Sequence, residues 1–182
     1  MLSKKLKVKL LCVILSVFTL ATSCFALVNT FFPRKYLSEI SAFCEGLKIE
    51  PALILAIVKT ESSFKKDKVS DKGAIGLMQI MPDTAKYISD TFFAGENYDL
   101  FDEKTNLLFG ITYIKYLYEK FPQTSLMLCA YNAGEGRVNS WLNKKEYSKD
   151  GKSLSNIPFK ETKNYLKKVN LYFKIYSFLL SL

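Results

Sequence analysis

Residues 51–64 read PALILAIVKTESSF, and the rest of the chain is organised around them. Pro51 suits the first turn of a helix, because its missing N–H has no intrahelical partner there. The next apolar side chains recur at spacings of three and four, which predicts one buried helical stripe formed by Leu53, Ile54 and Ile57. Glu61 follows four residues after the last of these and continues the same stripe. The pattern therefore predicts a carboxyl on the core face at the end of a helix.

A carboxyl in that position has a chemical consequence. Burial is costly for a carboxylate unless it is protonated or paired. Burial without a neighbouring cation raises the carboxyl pKa, which is what a general acid needs near neutral pH. The alternative is a glutamate simply exposed at a helix end, which is the usual place for this residue. Glu61 is thus a candidate catalytic acid.

The second informative stretch is GAIGLMQIMP, at residues 73–82. It is apolar and punctuated by glycine, and Gln79 is its one polar residue. Pro82 predicts the start of another helix. Gln79 would then lie close to the end of the Glu61 helix, where its amide can donate to a substrate and accept from it. Periodicity alone describes a core segment equally well.

Three blocks in this order resemble the catalytic domain of peptidoglycan lytic transglycosylases of the soluble-lytic-transglycosylase (SLT) type. The first combines ESSF at 61–64, Ser70, and GAIGLMQIMPDTA at 73–85. The second is AYNAGEGRV at 130–138 with Trp141, and the third is ETKNYLKKV at 161–169. The likeness covers about residues 35–175. It departs from the usual pattern at Lys66 and Lys68, where Pro and Ala are common, and at Leu166.

The resemblance implies a role for each matching residue. Glu61 is the single catalytic residue, acting as acid and then as base. The remaining matches are substrate-binding or site-orienting residues: Ser70, Met78, Gln79, Tyr131, Asn132, Glu161 and Tyr165. Of these, Met78 is expected to line the cleft.

The resemblance also implies a fold and a reaction. The fold is mostly α and lysozyme-like, and the reaction needs neither cofactor nor metal. Glu61 protonates the glycosidic oxygen between N-acetylmuramic acid and N-acetylglucosamine, and the muramic 6-hydroxyl attacks C1 to leave a 1,6-anhydro end. A hydrolytic muramidase is one alternative and needs a second carboxylate; the candidates are Asp67, Asp71, Asp83 and Glu161. A non-catalytic wall-binding module is the other, and loss of the glutamate would favour it.

Composition excludes several classes of site. The 182 residues are 49% hydrophobic, enough for a sizeable core, and the net charge is +9. The chain has no histidine, which rules out Ser-His-Asp and Cys-His catalysis within it. No C-x-x-C pair occurs, which argues against zinc. Cys44 and Cys129 are expected to be buried thiols, with a disulfide as the alternative.

The basic excess suits anionic wall polymers or lipid head groups. Lys and Arg are scattered and match no nucleic-acid motif, so nucleic acid is not an expected partner. The expected partners are peptidoglycan glycan strands and the membrane, and the expected state is a monomer.

The N-terminal region predicts a membrane segment. The 23 residues from Leu10 to Phe32 carry no charge and follow four lysines, a length that spans a bilayer core of ~30 Å. The lysines would hold this end inside and place the rest on the extracytoplasmic face. The alternatives are a signal peptide cleaved after Ala26, giving a secreted protein, and a lipoprotein box ending at Cys24. We expect residues 1–32 to form this segment and residues 33–182 a single globular domain.

The other helices follow from the same rules. Helices are predicted over 34–47, from Asp102 to before Pro122, over 125–133 and over 159–181. Gly110 is expected to mark a tight helix–helix contact. The apolar tail of the last helix, 177–180, can pack on the domain or lie against a membrane.

Overall fold

A computed structural model describes residues 4–182, and over that range the chain forms eight helices and no strand. The fold is mostly α, as the sequence predicts. In chain order the helices are α1 (Lys4–Phe31), α2 (Leu37–Cys44), α3 (Pro51–Glu61), α4 (Pro82–Phe92), α5 (Glu103–Lys120), α6 (Thr124–Ala133), α7 (Glu135–Leu142) and α8 (Lys160–Leu180).

The chain divides into two compact units, Met1–Lys35 and Tyr36–Leu182. In the first unit, the segment Val8–Phe31 of α1 is long and apolar enough to cross a membrane, with a mean hydropathy of 2.4. A signal sequence has the same character. Most hydroxyl groups of α1 form hydrogen bonds within the helix. Ser16, Thr19 and Thr22 each donate to the main-chain carbonyl three residues earlier. These groups therefore need no water, as a lipid environment requires.

The second unit is built around α3. Every residue from Ala52 to Val58 is buried, so this helix is central rather than amphipathic with one buried stripe. Helix α8 packs along α3, and α2 packs against both α3 and α5. Pro51 is at the first helical position and Glu61 at the last. The N-terminal start and the position of the carboxyl are thus confirmed.

Helix α5 also follows its sequence pattern. Asp102 precedes it as the N-cap, and its Oδ1 accepts from the backbone N–H of Thr105 at 2.8 Å, which satisfies a free donor of the first turn. The helix ends before Pro122 as predicted, and its apolar residues at spacings of three and four are all buried: Leu107, Ile111, Ile114 and Leu117.

Two predicted boundaries are wrong. The helix expected over 34–47 is only Leu37–Cys44, because Tyr36 takes a left-handed backbone conformation with φ of 64° before it and Gly46 takes φ of 72° after it.

Helix α7 was not predicted. It has only eight residues, starts directly after Gly134 and buries just Val138 and Trp141, so its periodic signal is too short to read.

The two inner cysteines are buried thiols without a disulfide. Burial raises the pKa of both Cys44 and Cys129 to about 11. They remain protonated and behave as small apolar side chains.

The segment between α3 and α4 carries the only β-like pairing in residues 4–182. Ile75 forms isolated bridges with Val69 and with Ile80. This segment contacts α5 through Gly110, where an added Cβ would lie 2.2 Å from Met78 Sδ. Gly110 therefore marks a close contact with a side chain of this loop, and the expected helix–helix contact is wrong.

Candidate active site

Glu61 lies in a cleft of about 310 Å³ in the second unit. The end of α3 supplies Glu61, the following loop supplies one wall, and the ends of α6 and α8 supply the other. The lining residues are Glu61, Ser70, Asp71, Lys72, Ala74, Gln79, Met81, Tyr131, Asn132 and Glu161. Six of the eight residues predicted to form the site thus lie around one cleft.

Burial gives Glu61 its chemistry. Loss of solvation raises the pKa of its carboxyl from 4.5 to about 7. The Tyr165 hydroxyl and the Lys68 ammonium lower this pKa in part, and the charge of Glu161 raises it again. The net result is a carboxyl that holds a proton near neutral pH and can also release it.

Lys68 is a cation that helical spacing could not find. It comes from the loop after α3, and its ammonium donates to the main-chain carbonyl of Glu61. The neighbouring Lys66 pairs with Glu103 of α5 at 3.2 Å. The two lysines that depart from the family pattern therefore tie this loop to the helices beside it.

Gln79 fastens the loop on itself. Its Nε2 donates to the carbonyls of Lys68 and Gly76, both at 2.9 Å. Both amide hydrogens are thus used inside the protein, and the amide oxygen is left to accept. The backbone of Gln79 has φ of 51°, a strained conformation for a non-glycine residue of the kind that clusters at functional sites.

Ser70 lies in a turn on the same wall. Its Oγ accepts from the backbone N–H of Ala74 at 2.9 Å, and its own N–H donates to the Ala74 carbonyl at 2.9 Å. One lone pair of the hydroxyl is thus occupied while its hydrogen is free to donate. The turn fixes this hydroxyl at the cleft surface.

Two tyrosines flank the carboxyl from the opposite side. The Tyr131 hydroxyl donates to the main-chain carbonyl of Met78 at 2.7 Å. The Tyr165 hydroxyl is buried beside Glu61. Within residues 4–182 it has no partner at hydrogen-bonding distance and angle. Burial first, and then the charge of Glu61, raise the pKa of both phenols well above 10. Both remain protonated, and because the Tyr131 hydrogen is used by the Met78 carbonyl, only Tyr165 has a hydrogen left for the site.

The remaining polar groups line the mouth of the cleft. The Asn132 amide has no hydrogen-bond partner among residues 4–182, so it is available to a ligand. Glu161, in the first turn of α8, pairs with Lys72 at 3.5 Å, and both side chains are exposed. Of the four candidates for a second carboxylate, Asp71 and Glu161 line the cleft, whereas Asp67 and Asp83 do not.

The prediction that Met78 lines the cleft is wrong. Its side chain is fully buried and packs on Gly110, so it does not line the cleft. Met81 lines it instead. Asn106, a buried residue of α5, is not among the residues that the sequence predicted for the site. Its Oδ1 accepts from the Met78 N–H at 2.8 Å, and its Nδ2 donates to the carbonyls of Ile75 and Leu100 at 3.0 and 2.9 Å.

An aromatic row continues from the cleft. The ring centroids of Tyr131 and Tyr113 are 5.8 Å apart, and those of Tyr113 and Tyr116 are 6.0 Å apart and stacked. Tyr87 lies 5.5 Å from Tyr116. Tyr87, Tyr113 and Tyr116 line a second, smaller pocket of about 230 Å³. Such rings offer apolar faces edged with hydroxyls, which suits an amphipathic ligand.

The raised pKa of Glu61 predicts a pH-dependent effect on stability. The folded state holds the proton up to about pH 7, whereas the unfolded chain releases it near 4.5. The carboxyl therefore destabilises the folded state increasingly from pH 4.5 to 7, and the effect then levels off. We expect Glu61→Gln to match the wild type at pH 4 and to exceed it at pH 8 by up to ~3 kcal/mol.

Denaturant unfolding of both proteins at the two pH values measures this difference. An advantage of the variant that is equal at pH 4 and pH 8, or larger at pH 4, would contradict burial of an ionisable acid at this position.

A proton-holding glutamate in an open cleft of a helical, lysozyme-like domain defines a class of glycan-cleaving proteins. Residues 41–154 match the model of the family described as "Transglycosylase SLT domain", and the chain belongs to that family. This match includes the first two blocks of the sequence pattern, and the third block lies beyond it.

Individual relatives agree with this assignment. The chain is 35% identical over 153 residues to the soluble lytic murein transglycosylase of Escherichia coli K12, covering 81% of this chain and 24% of that protein. It is 30% identical over 164 residues to membrane-bound lytic murein transglycosylase C of Actinobacillus pleuropneumoniae serotype 5b, covering 75% and 44%. The chain thus spans about a quarter of the first relative and less than half of the second.

A solved structure shows the same fold. The crystal structure of the 70 kDa soluble lytic transglycosylase from Escherichia coli superposes with a TM-score of 0.74 at 31% identity. The superposition covers 89% of this chain and 27% of that one.

Proposed function

We propose that the second unit cleaves the β-1,4 bond between N-acetylmuramic acid and N-acetylglucosamine in peptidoglycan and leaves 1,6-anhydromuramic ends. The observation that carries the proposal is the Glu61 carboxyl, held in an open cleft with its pKa raised to about 7. Membership of the transglycosylase family supports the substrate class.

In the first step the protonated Glu61 donates its proton to the glycosidic oxygen, and the bond from that oxygen to C1 of the muramic acid breaks. The departing sugar carries away the proton. Burial supports this role, because it favours the neutral carboxyl before the reaction. General acid catalysis of this kind contributes ~10²–10⁴-fold to a rate.

In the second step the muramic 6-hydroxyl attacks C1 and gives its proton to the Glu61 carboxylate. A C–O bond closes the anhydro ring, and Glu61 returns to its starting state without a water nucleophile. The Tyr165 hydroxyl and the Lys68 ammonium favour the carboxylate, so they support its brief existence between the two steps. The fixed hydroxyl of Ser70, the amide of Asn132 and the oxygen of Gln79 are the groups available to orient the sugars.

Hydrolysis is the second candidate, because Asp71 and Glu161 line the same cleft. A hydrolase would use one of them to activate water or to form a covalent intermediate. Asp71→Asn and Glu161→Gln separate the two mechanisms. In the proposed reaction Asp71→Asn keeps cleavage within a few-fold of the wild type, and the fragments that either variant releases still carry anhydro ends. In a hydrolase, the variant that lacks the second carboxylate loses cleavage.

The test of the proposal is mass spectrometry of the fragments released from purified peptidoglycan. We expect muropeptides with anhydromuramic ends, each lighter by one water than the reducing product. Reducing muramic ends as the main product would establish hydrolysis instead.

We also propose that α1 holds the catalytic unit at the cell envelope, on the extracytoplasmic side where peptidoglycan lies. The apolar segment Val8–Phe31 and the four lysines at its N-terminal end, Lys4, Lys5, Lys7 and Lys9, support this arrangement. Fractionation of cells followed by external protease measures it. We expect a membrane-bound, full-length form that the protease degrades. A soluble form trimmed at its N-terminus would show that the segment is a cleaved signal peptide, and protection from protease would contradict the orientation.

A further inference from the structure

The outer face of α8 differs from the rest of the second unit. Helical spacing places Lys167, Leu171, Lys174 and Phe178 on one stripe, and all four are exposed. Leu171 is 56% exposed and Phe178 is 62% exposed. Apart from Leu182, they are the two most exposed large apolar residues of Tyr36–Leu182. Large apolar side chains that alternate with lysines along one stripe are typical of helices at a membrane surface.

The charge of this helix is uncompensated. Helix α8 carries five lysines and one acidic residue, Glu161, which lies in its first turn. Glu161 pairs with Lys72 of the loop after α3. Within residues 4–182, none of these five lysines has an ion-pair partner: Lys160, Lys163, Lys167, Lys168 and Lys174. The face therefore offers free ammonium groups beside exposed apolar side chains.

We propose that this face of α8 binds the surface of an anionic lipid bilayer. Leu171 and Phe178 would enter the head-group boundary, and Lys167 and Lys174 would extend along it to the lipid phosphates. An anionic wall polymer would pair with the lysines but would leave the two apolar side chains in water. A second copy of the chain would bring together two faces that both carry lysines and have no acidic residue on this stripe to pair with them.

Such binding is compatible with an accessible cleft. Successive helical residues are rotated by ~100°, so the face centred on Leu171 lies roughly 80° from Glu161 and 120° from Tyr165 around the helix. Glu161 and Tyr165 therefore do not lie on the face that binds the bilayer. Phe178 also lies 17 residues after Glu161, about 25 Å along the helix. The proposal does not depend on the reaction that the cleft performs.

The experiment uses the full chain in lipid nanodiscs with brominated acyl chains, which quench tryptophan only on contact. The reporter is Phe178→Trp, read above the emission of the buried Trp141. We expect quenching of the added tryptophan in discs containing phosphatidylglycerol. We expect at least a twofold weaker effect in pure phosphatidylcholine and in the phosphatidylglycerol discs at high salt. Leu171→Trp is a second reporter on the same face if the first variant does not fold.

Two matched controls define the face. Phe101→Trp places a tryptophan at another exposed aromatic position, before α5, and should not be quenched. The pair Lys167→Glu and Lys174→Glu should abolish the lipid-dependent quenching. The pair Lys144→Glu and Lys145→Glu makes the same change in net charge in an exposed loop after α7 and should leave the quenching in place.

Three results would overturn the proposal. One is the absence of quenching both in discs that contain phosphatidylglycerol and in pure phosphatidylcholine discs. Another is equal quenching in anionic and zwitterionic discs, because lipid charge would then play no part. The third is an equal loss for both charge-reversal pairs, which would assign the effect to net charge and not to this face.

Discussion

Glu61→Gln is expected to lose peptidoglycan cleavage by ~10²–10⁴-fold while keeping its fold and its binding to the wall. The amide has the shape of the carboxyl but cannot donate the acidic proton or accept it back. Its neighbours do not depend on the charge, because the tyrosine hydroxyls beside it remain protonated in either case. Release of soluble fragments from peptidoglycan measures the rate, and pelleting with insoluble peptidoglycan measures the binding.

The matched control for this variant is Glu96→Gln, an identical change on an exposed loop outside the cleft. It should leave the rate unchanged. If Glu61→Gln kept activity within a few-fold of the wild type, Glu61 would not be the acid. If it lost wall binding together with activity, the loss could not be assigned to proton transfer.

Asn106→Ala is expected to destabilise the second unit by about 3–5 kcal/mol. Asn106 is only 1% exposed, and its amide makes three hydrogen bonds to backbone groups. Alanine leaves the Met78 N–H and the carbonyls of Ile75 and Leu100 without this partner, and each unsatisfied buried group costs about 1–3 kcal/mol. Denaturant unfolding measures the loss.

The same variant should also reduce activity at temperatures where it is folded. Asn106 holds the segment that includes Gln79 and the Met78 carbonyl, which accepts from Tyr131. Loosening this segment would displace one wall of the cleft. Asn97→Ala, at an exposed loop position, is the control and should change stability by less than about 0.5 kcal/mol. A loss below about 1 kcal/mol for Asn106→Ala would show that water or rearrangement replaces these bonds.

The sequence predicted the parts of the fold that local rules determine. Pro51 and Pro82 begin α3 and α4 as expected, because proline is favoured in the first turn. The position of Glu61 at the end of α3 was also predicted, although this helix is buried throughout Ala52–Val58 and not along one stripe. The family blocks then brought together residues from α3, the following loop, α6 and α8 that no local pattern connects.

The errors come from contacts between distant segments. The role of Asn106 depends on carbonyls 6 and 31 residues away in sequence, and no spacing rule links them. Met78 and Met81 have the same chemistry, and the loop backbone alone decides that the first enters the core and the second reaches the cleft. Lys68 approaches Glu61 because the loop folds back, so a search at helical spacing could not find it.

The proposed reaction depends on one carboxyl that holds a proton near neutral pH. Its most direct measurement is the pH titration of the Glu61 side-chain carboxyl by ¹³C NMR, with the resonance assigned by its absence in Glu61→Gln. The predicted midpoint is about 7, well above the ~4.3 of an unperturbed glutamate. A midpoint between about 4 and 5 would show an ionised, solvated carboxylate at neutral pH and would contradict its role as the catalytic acid.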